Sequence, residues 1–235
     1  EIVDFAEKHN DPGKFTAFIG YEWSSAPQGN NLHRVLVMRG NAEQAKQVLP
    51  FGAYDSDDPE DLWTWMEQYS EKTGDDILAI AHNGNLSNGL MFPTAELEFG
   101  DGIDSDYVAR RARWEPVYEV TQIKGDGETH PLLSPTDEFA DYEIWRSYTG
   151  KDPGKTLGKK EEASKPYQYV RSALKLGLEQ QAKLGINPFK FGLIGSTDSH
   201  TSLATADDNN FWGKMATDST PETKDSRGTA ETTTN

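Results

Sequence analysis

Phe191-Gly192-Leu193-Ile194-Gly195-Ser196-Thr197-Asp198-Ser199-His200 is the stretch that decides the fold. An apolar run stops, and two groups able to hold a metal follow it. The run is short, rich in branched residues and bounded by glycines, so it reads as a buried strand. Residues two apart in an extended segment point to the same side, so the Asp198 carboxylate and the His200 imidazole are expected to face one ion. Mixed oxygen and nitrogen ligands suit zinc, manganese or iron. Alone, Asp-x-His is a common sequence; what gives it weight is recurrence.

The same pattern appears twice upstream. Phe18-Ile19-Gly20-Tyr21 leads into Glu22, and Leu78-Ala79-Ile80-Ala81 leads into His82. Strands are predicted over 15–21, 34–38, 77–81, 116–121 and 191–195, and helices over 1–10, 59–73, 106–114 and 167–184. Leu62, Trp65, Met66 and Tyr69 mark the apolar face of one helix, and Val170, Leu174 and Leu178 that of the last. Strands alternating with helices predict parallel βα units and an α/β fold. In α/β barrels the C-terminal strand ends build the active site. Residues scattered along the chain would then converge.

Other residues join this set with less force. Glu119 stands inside a predicted strand and needs a cation only if it faces the interior. His33 and Arg34 open a strand, and Asn83 follows His82. His130 lies in a long irregular stretch over 125–141, and loops of that length are more often functional than ornamental. Arg34 and Lys124 are candidates to hold an anionic substrate, although surface charge is the commoner role of either. His9 reads as a solvated helix-end residue.

Composition excludes several classes. The 235 residues carry 39 acids against 23 bases, a net charge of -16, which repels nucleic acid and anionic membranes. With no cysteine, disulfides, Cys-based zinc sites and thiol catalysis are ruled out. No apolar run approaches the roughly 18 residues of a membrane span. Neither a phosphate-cradling glycine loop nor a Gly-x-Ser-x-Gly nucleophile elbow is present. A carboxylate pair such as Glu22 and Glu119 could serve a glycosidase, but the strand-end histidines would then be unexplained. Residues 216–235 are polar and Thr-rich, and are expected to form a disordered or extended tail after a domain over 1–215.

Five segments together, Phe18-Ile19-Gly20-Tyr21-Glu22-Trp23-Ser24, Asn31-Leu32-His33-Arg34, Ala81-His82-Asn83-Gly84-Asn85, Gly125-Asp126-Gly127-Glu128-Thr129-His130-Pro131 and Gly195-Ser196-Thr197-Asp198-Ser199-His200-Thr201, resemble the DUF3604 family. That family is similar to the PHP (polymerase and histidinol phosphatase) superfamily of metal-dependent phosphoesterases. The resemblance implies a distorted β/α, TIM-like barrel with two or three divalent ions. Glu22 then looks like a bridging carboxylate, His82 like a histidine ligand, and Asp198 and His200 like the closing pair. Glu119, Glu128 and His130 match further family positions. PHP-like proteins begin with an HxH strand and an Asp-His motif, neither of which is here. The expectation is therefore a barrel incomplete at its N-terminus, in a fragment of a longer protein.

The function this implies is metal-dependent hydrolysis of a small anionic ester of phosphate type, with phosphonate and sulfate esters as further candidates. Metals would be held by Glu22, His82, Glu119, Asp198 and His200, and chemistry carried by Glu22 and Asp198. Substrate would be held by His33, Arg34, Asn83 and His130. The alternatives are a metal-dependent amidohydrolase acting on C–N bonds and a catalytically incomplete piece with a structural role. An acidic, Cys-free chain suits the periplasm or the cell exterior slightly better than the cytoplasm. Oligomeric state is not legible.

Overall fold

A computed structural model describes residues 1–95, 102–144 and 159–200. The tail expected over 216–235 lies outside the described residues. Six helices and six strands run in the order α1 (Ile2–His9), β1 (Ile19–Trp23), β2 (Arg34–Met38), α2 (Ala42–Ala45), α3 (Pro59–Thr73), β3 (Ile77–Ala81), α4 (Ser105–Trp114), β4 (Val117–Gln122), β5 (Gly125–Asp126), α5 (Lys159–Ser164), α6 (Val170–Leu184) and β6 (Gly192–Gly195).

Local chemistry explains the helix ends. Asp58 caps α3 by accepting the Glu60 N–H at 2.9 Å, with Pro59 in the first helical position. Gly74 closes it in the left-handed conformation at φ 68°. Leu62, Trp63, Met66 and Tyr69 form its buried stripe. In α6 the buried face is Val170, Ala173, Gly177 and Gln180, whereas Leu174 and Leu178 are exposed. This corrects the stripe predicted from Leu174 and Leu178. At Gly177 a Cβ would meet the Asn187 side chain, which packs against that face.

The strands form one mixed sheet, ordered β1-β2-β3-β4, with β5 and β6 both pairing to β4. Pairing is antiparallel for β1–β2, β2–β3 and β4–β5, and parallel for β3–β4 and β4–β6. The α/β class stands, but the predicted parallel barrel does not form: among the described residues the sheet is open. The connection from β1 to β2 is too short to hold the crossover that a parallel pair needs. The longer path through α2 and α3 leaves and re-enters at one edge, where the Arg39 N–H donates to the Asp76 carbonyl at 2.9 Å. Parallel pairing begins only where α4 and α6 supply crossovers.

Helices cover one face. Ile19, Trp23, Leu36, Met38, Ile77 and Ala79 pack with Leu62, Trp63, Met66, Tyr107, Val108 and Trp114 of α3 and α4. Cross-strand partners share a face, and side chains alternate along each strand. The register Glu22–Val35–Ile80–Val117 therefore puts Glu22, His33, His82 and Glu119 on the opposite face. That face carries the chemistry.

Candidate metal centre

Antiparallel pairing of β1 with β2 sets the first half of the site. Trp23 pairs with Arg34, and Arg34 with Ala81, so the end of β1, the start of β2 and the end of β3 meet at one edge. Glu22 Oε1 there lies 2.7 Å from His33 Nδ1 and 3.0 Å from His82 Nε2. The two imidazoles stand nearly perpendicular, with centroids 5.7 Å apart. Burial alone would raise the Glu22 carboxyl, but the hydrogen bonds and charges of His33 and His82 hold it well below the usual carboxylate range. Glu22 is thus an anion at neutral pH.

The second half comes from β4 and the segment after β6. Ser196 N–H donates to the Thr121 carbonyl at 3.1 Å and Ile123 N–H to the Thr197 carbonyl at 3.2 Å, extending the pairing beyond β6. Asp198 then turns at φ 46°, a conformation uncommon outside glycine. The Asp-x-His segment is bent, not extended as predicted. The turn still brings one ligand atom each of Glu22, Asp198 and His200 within 4.8 Å of one another. Glu22, His33 and His82 meet the same criterion. Both groups could hold a metal ion, and Glu22 belongs to both.

Polar side chains around these ligands are tied together. Gln122 Nε2 donates to Asn83 Oδ1 at 2.7 Å and to Asp198 Oδ2 at 2.9 Å. Gln122 Oε1 accepts the Lys124 N–H at 2.8 Å, and the Lys124 ammonium also bonds Asp198 Oδ2. Asn83, like Asp198, has positive φ, at 55°. Gln122 therefore clamps the two left-handed residues of the site. Nothing in the sequence singled it out, since a glutamine in a strand carries no motif.

Buried polar atoms test whether a cation fits. Glu119 is 6% exposed. Its Oε2 accepts the Ser196 hydroxyl, while Oε1 has no hydrogen-bond partner among the described residues. Burial raises its carboxyl above the usual range; Ser196, His82 and Lys124 oppose that, and Asp198 adds to it. His82 Nδ1, Asn83 Nδ2 and Asn85 Oδ1 are likewise buried and unpartnered among the described residues. A half-satisfied carboxylate on the face of two histidines and two further carboxylates fits a divalent cation better than it fits a packed interior.

Three predicted residues lie elsewhere. Arg34 points into the helix-covered face at 1% exposure, donating to Glu115 Oε1 at 3.0 Å, beside the Trp23 ring. Its expected substrate contact gives way to a buried ion pair. Glu128 pairs with Arg171 at the surface. His130 lies on the loop after β5, against Tyr169.

The chain belongs to the DUF3604 family, described as a protein of unknown function, whose model matches residues 1–235. No curated protein and no solved structure matches it.

Proposed function

We propose that this chain carries the metal centre of a hydrolase that cleaves phosphate-type esters with an activated water. The observation that carries the reading is Glu22 Oε1 within hydrogen-bond distance of both His33 Nδ1 and His82 Nε2, with a ligand atom each of Asp198 and His200 within 4.8 Å of one of its own. The reaction class comes from the resemblance to the PHP superfamily, and the residues come from the geometry.

Glu22, His33 and His82 would hold one divalent cation, of zinc, manganese or iron type. Glu22, Asp198 and His200 would hold a second. Such ions supply a nucleophilic water near neutral pH and offset charge on the ester oxygens. The chain's own groups do the rest. Glu119 adds a carboxylate on the same face. Gln122 and Lys124 fix the Asp198 carboxylate through Oδ2 and so would orient it toward a bound cation. Lys124 also brings positive charge to a site that must draw in an anion. Asn83, with its amide nitrogen unpartnered among the described residues, can donate to an ester oxygen.

The test is metal content and turnover together. Protein dialysed against zinc or manganese is expected to retain metal by plasma mass spectrometry and to hydrolyse bis(p-nitrophenyl) phosphate, with both lost in Glu22→Gln. Turnover of p-nitroanilide amides but not of the phosphate diester would move the reading to C–N hydrolysis. Full turnover in chelator would overturn it.

A further inference from the structure

Tyr118 holds the chain on both sides of His82, from the face of the sheet opposite to the metal centre. Its backbone pairs with Ala81 in the parallel register of β3 and β4, so it lies beside the residue that precedes His82. Its side chain points away from that of Glu119, because neighbours in a strand alternate. There it packs with Val170 and Ala173 of α6, at 1% exposure. Phe92 and Phe191 hold the ring, at centroid distances of 5.1 and 5.4 Å. The hydroxyl reaches past the end of β3 and accepts the Gly84 N–H at 2.9 Å. One residue therefore grips the chain before and after the His82-Asn83 pair.

The contact depends on close approach. A Cβ at Gly84 would stand 2.5 Å from the Tyr118 hydroxyl oxygen and 2.4 Å from the Gln168 carbonyl oxygen, so the loop comes down this far only with glycine there. Other bonds fix the loop around it. The His82 N–H donates to the His33 carbonyl at 3.4 Å, and the Gly84 carbonyl accepts the Ser87 N–H and hydroxyl at 3.0 and 2.7 Å. Between these points Asn83 makes its left-handed turn at φ 55°. Burial pushes the Tyr118 phenol above its ordinary range, so it holds the loop as a neutral hydroxyl. Without that hydroxyl the Gly84 N–H becomes a buried donor with its acceptor removed. The loop would relax by rotating about Asn83, and the His82 ring would move with it.

We propose that Tyr118 is a positioning residue for the metal centre: through the Gly84 N–H it sets the His82 imidazole against Glu22 and His33, without touching metal or substrate. This rests on the metal-centre reading and adds to it a residue from the opposite face of the sheet. Its effect falls mainly on the ion of Glu22, His33 and His82. Asp198 and His200 come from the segment after β6 and reach the loop indirectly, through Gln122.

Zinc is the probe, titrated into the full chain against a competing chelating dye. His200→Ala isolates the first ion and His33→Ala the second. Adding Tyr118→Phe, which keeps the ring, should weaken the first about 10–100-fold, as loss of a supporting contact does, and the second far less. Tyr107→Phe is the control. It removes another buried hydroxyl, which accepts Arg111 Nη1 at 3.1 Å in the helix-covered core, and should lower the melting temperature without changing zinc affinity. In chelator, the His82 ring resonances should shift by NMR in Tyr118→Phe and stay in place in Tyr107→Phe. If Tyr118→Phe does not fold, amide exchange in wild type decides: zinc should slow exchange of the Gly84 N–H, since coupling between two sites is reciprocal. Equal weakening of both ions, the same loss in Tyr107→Phe, or unchanged zinc affinity in folded Tyr118→Phe overturns the positioning role, as does a Gly84 exchange rate that ignores zinc. Wild type that takes up no zinc sinks the metal centre. The His82 resonances in chelator then decide alone: a shift in Tyr118→Phe keeps the positioning of the ring, and no shift removes it.

Discussion

His33 Nδ1 lies 2.7 Å from Glu22 Oε1 because β1 and β2 run in opposite directions. In a parallel pair, a residue at the start of one strand and a residue near the end of the next would sit at opposite edges of the sheet. Antiparallel pairing makes His33 a neighbour of Glu22 and, through β3, of His82. A residue predicted to hold substrate becomes a metal-ligand candidate through strand direction alone.

Sharing of Glu22 between two ligand groups gives the first prediction. Loss of His33 should remove one ion, and loss of His200 the other, so each alanine variant should retain about half the wild-type metal. Glu22→Gln should weaken both, with affinity falling by at least the 10–100-fold typical of a lost supporting contact. Plasma mass spectrometry after dialysis reads this directly. Equal, partial loss in all three variants would argue against a shared carboxylate.

Glu119 should trade stability against metal. Its carboxyl is raised by burial, so its folded-state value lies above its unfolded one. For such a group, stability is full below the unfolded value and is lost as pH rises through the folded one. Glu119→Gln should therefore melt higher than wild type in chelator at pH 8, by about 2–4 °C for a gain near 1 kcal/mol in a chain of this length. The gap should close towards pH 4 and reverse sign when metal is added. Melting curves with and without zinc at both pH values check it.

Much of this site was legible in the sequence because strand ends advertise themselves. Glu22, His82, Asp198 and His200 each follow an apolar run, and the structure brings all four to one edge. Glu119 counts among the metal ligands through the family resemblance, but periodicity alone cannot place it on the ligand face, since a face requires a register. Strand direction was hidden too, because helix–strand alternation predicts parallel units while the short link after β1 enforces reversal. Arg34 was misread for a related reason. A charged residue beside a ligand suggests function, but Arg34 points to the other face, where only Glu115, distant in sequence, explains it.

That buried pair supports a stability prediction. Glu115 accepts Arg34 Nε at 3.0 Å and Trp63 Nε1 at 3.1 Å, and Arg111 Nη2 stands 3.1 Å from its other oxygen. Burial would raise its carboxyl, but Arg111 and Arg34 more than offset this and hold it low. Glu115→Ala leaves two buried guanidinium groups without their counter-charge, a loss of about 3–5 kcal/mol. Because the folded value is depressed, this stability is present above the unfolded value and is lost as pH falls through the folded one. Urea unfolding of wild type and Glu115→Ala should differ most near neutral pH and converge in acid.

Gln122 should matter to turnover more than to folding. Its amide holds Asn83 and Asp198 together, and both keep left-handed backbones. Gln122→Glu would place a carboxylate oxygen against Asp198 in place of the N–H, so that variant should lose metal affinity outright. Gln122→Met keeps the volume and removes the clamp, and kcat should fall about 10–100-fold while the melting temperature moves little. Turnover and thermal unfolding measured on the same preparations separate the two effects, and an unchanged kcat in Gln122→Met would remove the clamp from the mechanism.

His130 provides the last prediction, and its sign follows from linkage. Burial and Lys165 lower its folded-state value from 6.5 to about 4. The unfolded chain therefore binds a proton between those values that the folded chain does not. Stability is full above pH 6.5, declines as pH falls from 6.5 to about 4, and changes no further through this group below that. His130→Gln cannot take up the proton in either state. Its unfolding free energy should be flatter than that of wild type between pH 6.5 and 4, and parallel to it above. If the His130→Gln curve tracks wild type throughout the window, the imidazole is solvated in the folded chain and burial does not hold its value down.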